Sequence, residues 1–448
     1  MVDEHGCVSV YGLGYVGLTL CAAWLRASHR VLGVDILEEK VKSLNEGSVN
    51  HSDVDVEREI VKASNSGRFK ATLDGVQASR QSDVKLIAIP VGLTDNCRPI
   101  LKNLEEALKN LAQGLKGGDV VILESSVPPG TTQNLVKSLL EKVSGLKVED
   151  DFYLAYSPER IDVGRALEDI EERYPKIVGG IGPKSSEVAG KLYRGIAKKG
   201  VTIVSSPTVA ELEKLAEGVY RDVNIALANE LAVLFSDMGV DYDEVAVVAN
   251  SQPFCHLHKP GVGVGGACIP VYPQFLMEAA KNKGDSLDLT SLSRRINSLM
   301  PDHTAHLAMQ TASKLGLKNP NVTILGLAFR GGIDDTRLSP TYDLVNTLVK
   351  SGIEEITVND PYVAKDKFLE ELGFKLTKDL DEALKDADIA IIATDHPEYE
   401  GLSLQDFKNK TNKERIGIVD GRHMIKKWRN PPKGVAYVGI GRPFQIGL

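Results

Sequence analysis

Short apolar runs alternate with amphipathic stretches through the first half of the chain. The runs predict strands at Cys7–Tyr11, Arg30–Val34, Val84–Ile89, Val120–Leu123, Phe152–Tyr156, Lys176–Val178 and Val201–Val204. A helical pattern follows each of the early ones, and alternation of this kind predicts a mostly parallel sheet with helices on both faces. From Thr208 to about Met238 the texture changes. Leu212, Leu215, Val219, Val223, Ala226 and Leu231 recur close to the helical period, with Pro207 as a start signal and Gly239 as a stop signal. This stretch predicts one long helix, of the kind that connects two α/β units and packs against a partner subunit. From near Asn321, strands at Val322–Leu325, Glu355–Val358, Ile389–Ala393 and Ile416–Val419 again alternate with helical segments, predicting a second, smaller α/β domain.

Composition narrows the class. A chain of 448 residues is too long for one ordinary domain. Hydrophobic residues at 42% and charged residues at 25% describe a soluble protein with real cores. A net charge of −8 and the lack of any long basic run argue against a nucleic-acid partner. No apolar run approaches the ~20 residues that span a bilayer, so no membrane is expected. Met1 to Cys7 is polar and acidic, unlike a signal peptide. Five irregularly spaced cysteines, Cys7, Cys21, Cys97, Cys255 and Cys268, predict no disulfide framework and fit a reducing cytoplasm.

Two loops carry candidate chemistry. The first strand runs into Gly12-Leu13-Gly14-Tyr15-Val16-Gly17 and then an apolar helix. Gly12 allows the turn, Gly14 lets backbone approach a pyrophosphate, and Gly17 lets helix pack on strand. The helix N-terminus then offers its N–H groups to the anion. Asp35 ends the next strand, at the distance suited to ribose hydroxyls, and its charge favours NAD over NADP. A tight turn without ligand is the plain alternative. The second loop, Lys259 to Pro270, sets Gly261, Gly263, Gly265 and Gly266 ahead of Cys268. A thiol there can attack an aldehyde, and oxidation of the adduct leaves a thioester for water to open; equally, a lone cysteine is often a small buried hydrophobe. Cys255, His256, His258 and Cys268 match no common zinc spacing, and no metal is expected.

These loops belong to a larger set: Gly-Leu-Gly-Tyr-Val-Gly (12–17), Ser-Ser-Val-Pro-Pro-Gly (125–130), Ser-Pro-Glu-Arg (157–160), the run 214–226, Gly-Val-Gly-Gly-Ala-Cys (263–268), Gly-Leu-Ala-Phe-Arg (326–330), 334–340 and Asp-Gly-Arg (420–422). With this set the chain resembles the UDP-sugar 6-dehydrogenases over nearly its whole length. The run 220–226, Cys-Ile-Pro-Val, and Asp162-Val-Gly164 after Arg160 look more like the N-acetylhexosamine branch than the glucose branch. The fold class expected is α/β, with two Rossmann-like doubly wound domains joined by a long central helix and a helical dimerisation region. The expected domains are an NAD-binding domain at 1–204, a central dimerisation domain with the cysteine loop at 205–312, and a UDP-binding domain at 313–448.

The resemblance implies NAD-dependent four-electron oxidation of the C6 hydroxyl of a UDP-N-acetylhexosamine by a homodimer or higher homo-oligomer. UDP-glucose, and a catalytically impaired paralogue that binds NAD and UDP-sugar, remain alternatives, as does a simple Rossmann reductase without covalent chemistry. By matching position, Cys268 is the nucleophile. Lys214, one turn into the long helix, stabilises the oxyanion at C6. Glu159 is the general base of thioester hydrolysis, and Ser126 stands where a threonine orders the water. The resemblance gives the cofactor Gly12, Gly14, Tyr15, Val16, Gly17, Asp35, Pro90, Ser126 and Arg337. It gives the substrate Arg160, Lys214, Arg221, Lys259, Gly261, Gly263, Gly265, Arg330 and Arg422, with Arg337 and Arg422 weaker candidates for UDP contacts than Arg330.

Three positions depart from the pattern. Gly218 replaces an asparagine four residues after the lysine, and Tyr272 replaces an aspartate four residues after the cysteine. Gln252-Pro253-Phe254 replaces His-Pro-Arg. The expectation is that the Tyr272 ring fills the space that Gly218 vacates.

Overall fold

The computed structural model describes residues 6–162 and 164–447. Most of the acidic leading segment (residues 1–5) and Val163, in the motif after Arg160, lie outside the described residues. The chain divides into two compact units. One comprises residues 1–217 and 274–285, the other 218–273 and 286–448.

The first unit is built on an eight-stranded sheet: β1 Cys7–Tyr11, β2 Arg30–Val34, β3 Phe69–Thr72, β4 Val84–Ile87, β5 Val120–Leu123, β6 Tyr153–Tyr156, β7 Lys176–Gly180 and β8 Val201–Ile203, in spatial order β8-β7-β6-β5-β4-β1-β2-β3. All neighbours are parallel except β6 and β7, where Ala155 faces Gly180 in an antiparallel pair. Strands β4 and β5 are buried at every position, so neither shows the apolar–polar alternation of a half-exposed strand, and β4 buries even Lys85. The order reverses direction beside β1, whose following turn leads into helix α1, Tyr15–Arg26. In such sheets ligands bind outside the carboxyl ends of the strands at that reversal. Helix α2, Pro183–Arg194, packs against β6 and β7.

The predicted long helix is α3, Pro207–Asp237, of 31 residues. Pro207 is its first residue rather than the one before it, since the first turn needs no N–H there. The division between the units falls within it. In the second unit a further helix, α4, Asp288–Lys314, runs 27 residues through an internal Pro301. The periodicity did not reveal it.

The second unit carries a seven-stranded sheet: β9 Val322–Leu325, β10 Ile356–Asn359, β11 Lys375–Thr377, β12 Ile389–Ile392, β13 Ile416–Asp420, β14 Val435–Gly439 and β15 Arg442–Ile446, ordered β11-β10-β9-β12-β13-β14-β15. Only β14 and β15 pair antiparallel. Strands β3, β11, β14 and β15 were not predicted. Both units thus have the doubly wound, parallel-dominated α/β architecture expected from the alternation.

Candidate functional site

In the first unit the glycine loop is shaped by contact. Gly12 sits at φ +91°, and a Cβ on Gly17 would lie 1.8 Å from the Gly12 carbonyl oxygen. Around Gly14, by contrast, a Cβ would meet nothing within 4 Å. The loop therefore closes on its own strand and leaves an open, exposed cradle at the start of α1, where Gly14 supplies no side-chain cap. Such a terminus suits a pyrophosphate. Asp35 Oδ2 accepts from the Leu13 N–H at 3.0 Å, and its Oδ1 accepts from Leu37 at 3.1 Å. Lys40 Nζ lies 3.3 Å from Asp35 Oδ2. Tyr15 stacks on His51 with centroids 4.3 Å apart, and its hydroxyl donates to the Asp162 carbonyl. Pro90 is exposed beyond β4, and Val16 and Ser126 are half-buried. The residues present fit a dinucleotide.

Glu159 does not sit at a helix start, as a glutamate after proline often does. It is buried, its Oε2 accepting from Lys176 Nζ at 2.6 Å and its Oε1 from the Arg160 N–H at 2.8 Å. Lys214, about two turns into α3 rather than one, donates to the Glu159 main-chain oxygen at 2.5 Å and is half-buried, not a solvated lysine. Arg160 reaches Glu213 and Glu217 at 3.4 Å each. Burial and the neighbouring Glu217 push Glu213 up to about 7. The loop carrying Ser126 is held by the buried Glu211, which accepts from Gly130 N–H, Thr132 N–H and Thr132 Oγ1.

In the second unit Cys268 is exposed, so the buried-hydrophobe alternative does not apply. Its loop is pinned where the Gly266 N–H donates to the Arg337 carbonyl at 2.9 Å. Arg337 forks onto Asp335, which raises its pKa above the usual arginine value, and interacts electrostatically with Cys268. A Cβ on Gly265 would lie 2.6 Å from Leu338 O, and one on Gly263 2.9 Å from Pro340 Cβ, so the loop runs tightly against that segment. Gly261 donates to Asn229 Oδ1 at 2.8 Å and faces Arg422, whose Nη2 lies 3.2 Å from Asp395 Oδ1. The Gly331 N–H donates to the same oxygen at 3.0 Å, bringing the half-buried Arg330 segment and Arg422 into one neighbourhood. Asp395 is partly desolvated, yet Arg422 holds its carboxyl below the usual range. Lys259 and Arg221 are exposed, and Arg221 is near enough to His258 to help lower its pKa, which burial already depresses. Among the described residues no group of three or more His, Cys, Asp or Glu is placed to hold a metal, and no helix is long and apolar enough to cross a membrane.

Sequence reasoning passed over Glu124, Lys176, Glu211 and Asp395. A lysine opening an otherwise apolar strand, Lys176-Ile-Val-Gly-Gly, was the available signal for the second.

Three segments match known domains: residues 7–197 the UDP-glucose/GDP-mannose dehydrogenase family, NAD binding domain; 208–299 its central domain; and 323–427 its UDP binding domain. The chain is 36% identical to a UDP-N-acetyl-D-mannosamine dehydrogenase of Pyrococcus horikoshii, covering 97% of this chain and 99% of the relative. An NDP-N-acetyl-D-galactosaminuronic acid dehydrogenase of Ralstonia nicotianae is 34% identical, over 93% of this chain and 96% of its own length. The solved UDP-D-ManNAc dehydrogenase of Pyrococcus horikoshii superimposes with a TM-score of 0.88 at 35% identity, covering 97% of this chain and 99% of that one.

Proposed function

As the chain belongs to the UDP-glucose/GDP-mannose dehydrogenase family and is an NAD-dependent UDP-sugar dehydrogenase, we propose that it oxidises the C6 alcohol of a UDP-N-acetylhexosamine to the uronate through a thioester on Cys268. The observation that carries the covalent reading is the exposed Cys268 on a glycine loop that the Gly266 N–H ties to the Arg337 carbonyl. The names of the N-acetylmannosamine and N-acetylgalactosaminuronic acid relatives favour an N-acetylated sugar.

NAD, when bound, accepts one hydride in each of two oxidations. The chain's own residues do the rest. Gly12–Gly17, with Tyr15 and Val16, and the start of α1 would hold the NAD pyrophosphate, and Asp35 its ribose hydroxyls; Pro90, Ser126 and Arg337 would be its further contacts. The Cys268 sulfur adds to the C6 aldehyde. Lys214 supplies positive charge to the developing oxyanion. Oxidation of the thiohemiacetal leaves a thioester. Water, its proton taken by Glu159 and its approach ordered by Ser126, adds to the carbonyl carbon; the C–S bond breaks and the thiol is regenerated. Overall, alcohol, water and two NAD give acid, two NADH and two protons. Arg330, Arg422, Arg160, Arg221, Lys259 and the Gly261, Gly263 and Gly265 backbone bind sugar and diphosphate, guanidinium forks suiting phosphate.

The domains follow the boundaries 1–204, 205–312 and 313–448, and the working form is a homodimer or higher oligomer in a reducing cytoplasm. Tyr220, Leu227 and Leu234 support the oligomer: they are exposed at seven-residue spacing on α3, one apolar stripe of the kind that a second helix covers. NADH release measured across UDP-glucose, UDP-GlcNAc and UDP-ManNAc tests the substrate. Turnover of an N-acetylated sugar with two NADH per sugar is expected; turnover of UDP-glucose alone, or binding without NADH, overturns it.

A further inference from the structure

Glu159 belongs to a buried ionic cluster in the first unit. Lys176, at the start of β7, places its ammonium 2.6 Å from Glu159 Oε2 and 2.7 Å from Glu124 Oε2, all three side chains being almost wholly buried. Glu124 follows the end of β5. Its other oxygen accepts from the Tyr193 hydroxyl of α2. The Lys176 ammonium also lies 5.0 Å from the centre of the Tyr193 ring. Lys214 of α3 meets the Glu159 main-chain oxygen, and the adjacent Arg160 is turned toward Glu213 and Glu217.

A buried cation taken from between two acids leaves uncompensated charge, so such a lysine is strongly constrained. Burial alone would lower the Lys176 pKa, but Glu124 and Glu159 reverse this and raise it, so the ammonium stays charged. Burial raises Glu124, against the pull of Lys176. Two carboxylates and one ammonium sum to one negative charge. When Glu159 takes a proton the cluster becomes neutral. Without Glu124 the same event would leave a net positive charge in a dry site, which is costly.

We propose that Lys176 and Glu124 are positioning residues for thioester hydrolysis, the lysine fixing the Glu159 carboxylate in place as an ionised base and Glu124 supplying the counter-charge that lets it accept the water proton. The inference rests on Glu159 being that base.

Rapid mixing of the full-length enzyme with NAD and its UDP-sugar tests it. K176M is expected to lower kcat on the order of 10–100-fold, with KM little changed. It gives a burst of two NADH per site followed by a slow phase, and intact-mass analysis finds the uronyl group on Cys268. K176R, which keeps the charge, recovers part of the rate. A folded K176M with wild-type kcat, or a slow one with neither burst nor acyl-enzyme, overturns the proposal. If K176M does not fold, K176M/E124Q removes the second buried acid and is expected to show the same burst. If that too is unfolded, E124Q alone decides, acyl-enzyme accumulation supporting the inference and wild-type partitioning overturning it. E159Q separates the two levels. If E159Q accumulates acyl-enzyme while the Lys176 variants do not, only the positioning role falls; if E159Q accumulates none, the base assignment itself fails.

Discussion

A Cβ placed on Gly218 would lie 2.4 Å from Cδ2 of Tyr272, whose ring is buried against that face of α3. The two departures from the family pattern are therefore one packing unit. Glycine inside a helix ordinarily costs about 1 kcal/mol against alanine; here the ring makes alanine the worse residue. G218A is expected to lower stability by ~1–3 kcal/mol through overpacking. In a Y272A background the same change is expected to stabilise, because the ring is gone and the propensity term remains. Thermal unfolding of the four proteins checks this change of sign. In turnover, G218N/Y272D is expected to lose activity, as befits a rewired site; a large gain would mean that the natural pair marks decay.

With Asp35 proposed to take the cofactor ribose, its pairing with Lys40 predicts how nucleotide choice responds to mutation. The Asp35 carboxylate lies 3.3 Å from the Lys40 ammonium. D35S leaves that cation without its partner. NAD binding is expected to weaken on the order of tenfold, and NADP use to rise. Steady-state kinetics with both nucleotides check it, and K40A in the D35S background should remove the NADP gain.

Much of this was readable beforehand where local chemistry decides structure. Gly12, Gly14 and Gly17 are demanded by a turn, an open cradle and a close helix contact, and each demand is written in the spacing. Helix α3 was readable because nothing interrupts its period. Helix α4 was not, because Pro301 and many small polar residues blur its apolar face, and burial of Thr304, Asn297 and Ser293 is decided by what packs on them. Strands β14 and β15 follow a polar, proline-bearing stretch, Lys426 to Gly434, that reads as irregular chain. The pairing of Gly218 with Tyr272 was legible from two coincident departures. The Lys176 cluster was not, since its members are 52 and 17 residues from the lysine and only the folded sheet brings them together.

The apolar stripe on α3 predicts assembly. L227E/L234E places charges on two exposed apolar positions of one face. Light scattering is expected to give the monomer mass for this variant and a dimer or larger for the natural chain.

Acid stability depends in part on Asp243. Burial alone would raise its carboxyl, but His423 Nδ1 at 2.9 Å and Arg442 Nη2 at 2.7 Å lower it from 3.8 to about 2. The ionised form is bound more strongly in the folded chain than in the unfolded one. Its contribution is therefore complete above about pH 4 and is lost as pH falls toward 2. Melting temperature measured across that window is expected to fall, and D243N is expected to be less stable at neutral pH with a flatter acid limb.

The covalent role of Cys268 is tested most directly by acid-quenching the enzyme during turnover with NAD and its UDP-sugar and determining the mass of the peptide that carries this cysteine. The expected result is the uronyl thioester on the Cys268 sulfur, absent in C268S, which also fails to complete the four-electron oxidation. An unmodified peptide during steady release of two NADH per sugar, or full oxidation by C268S, would contradict it.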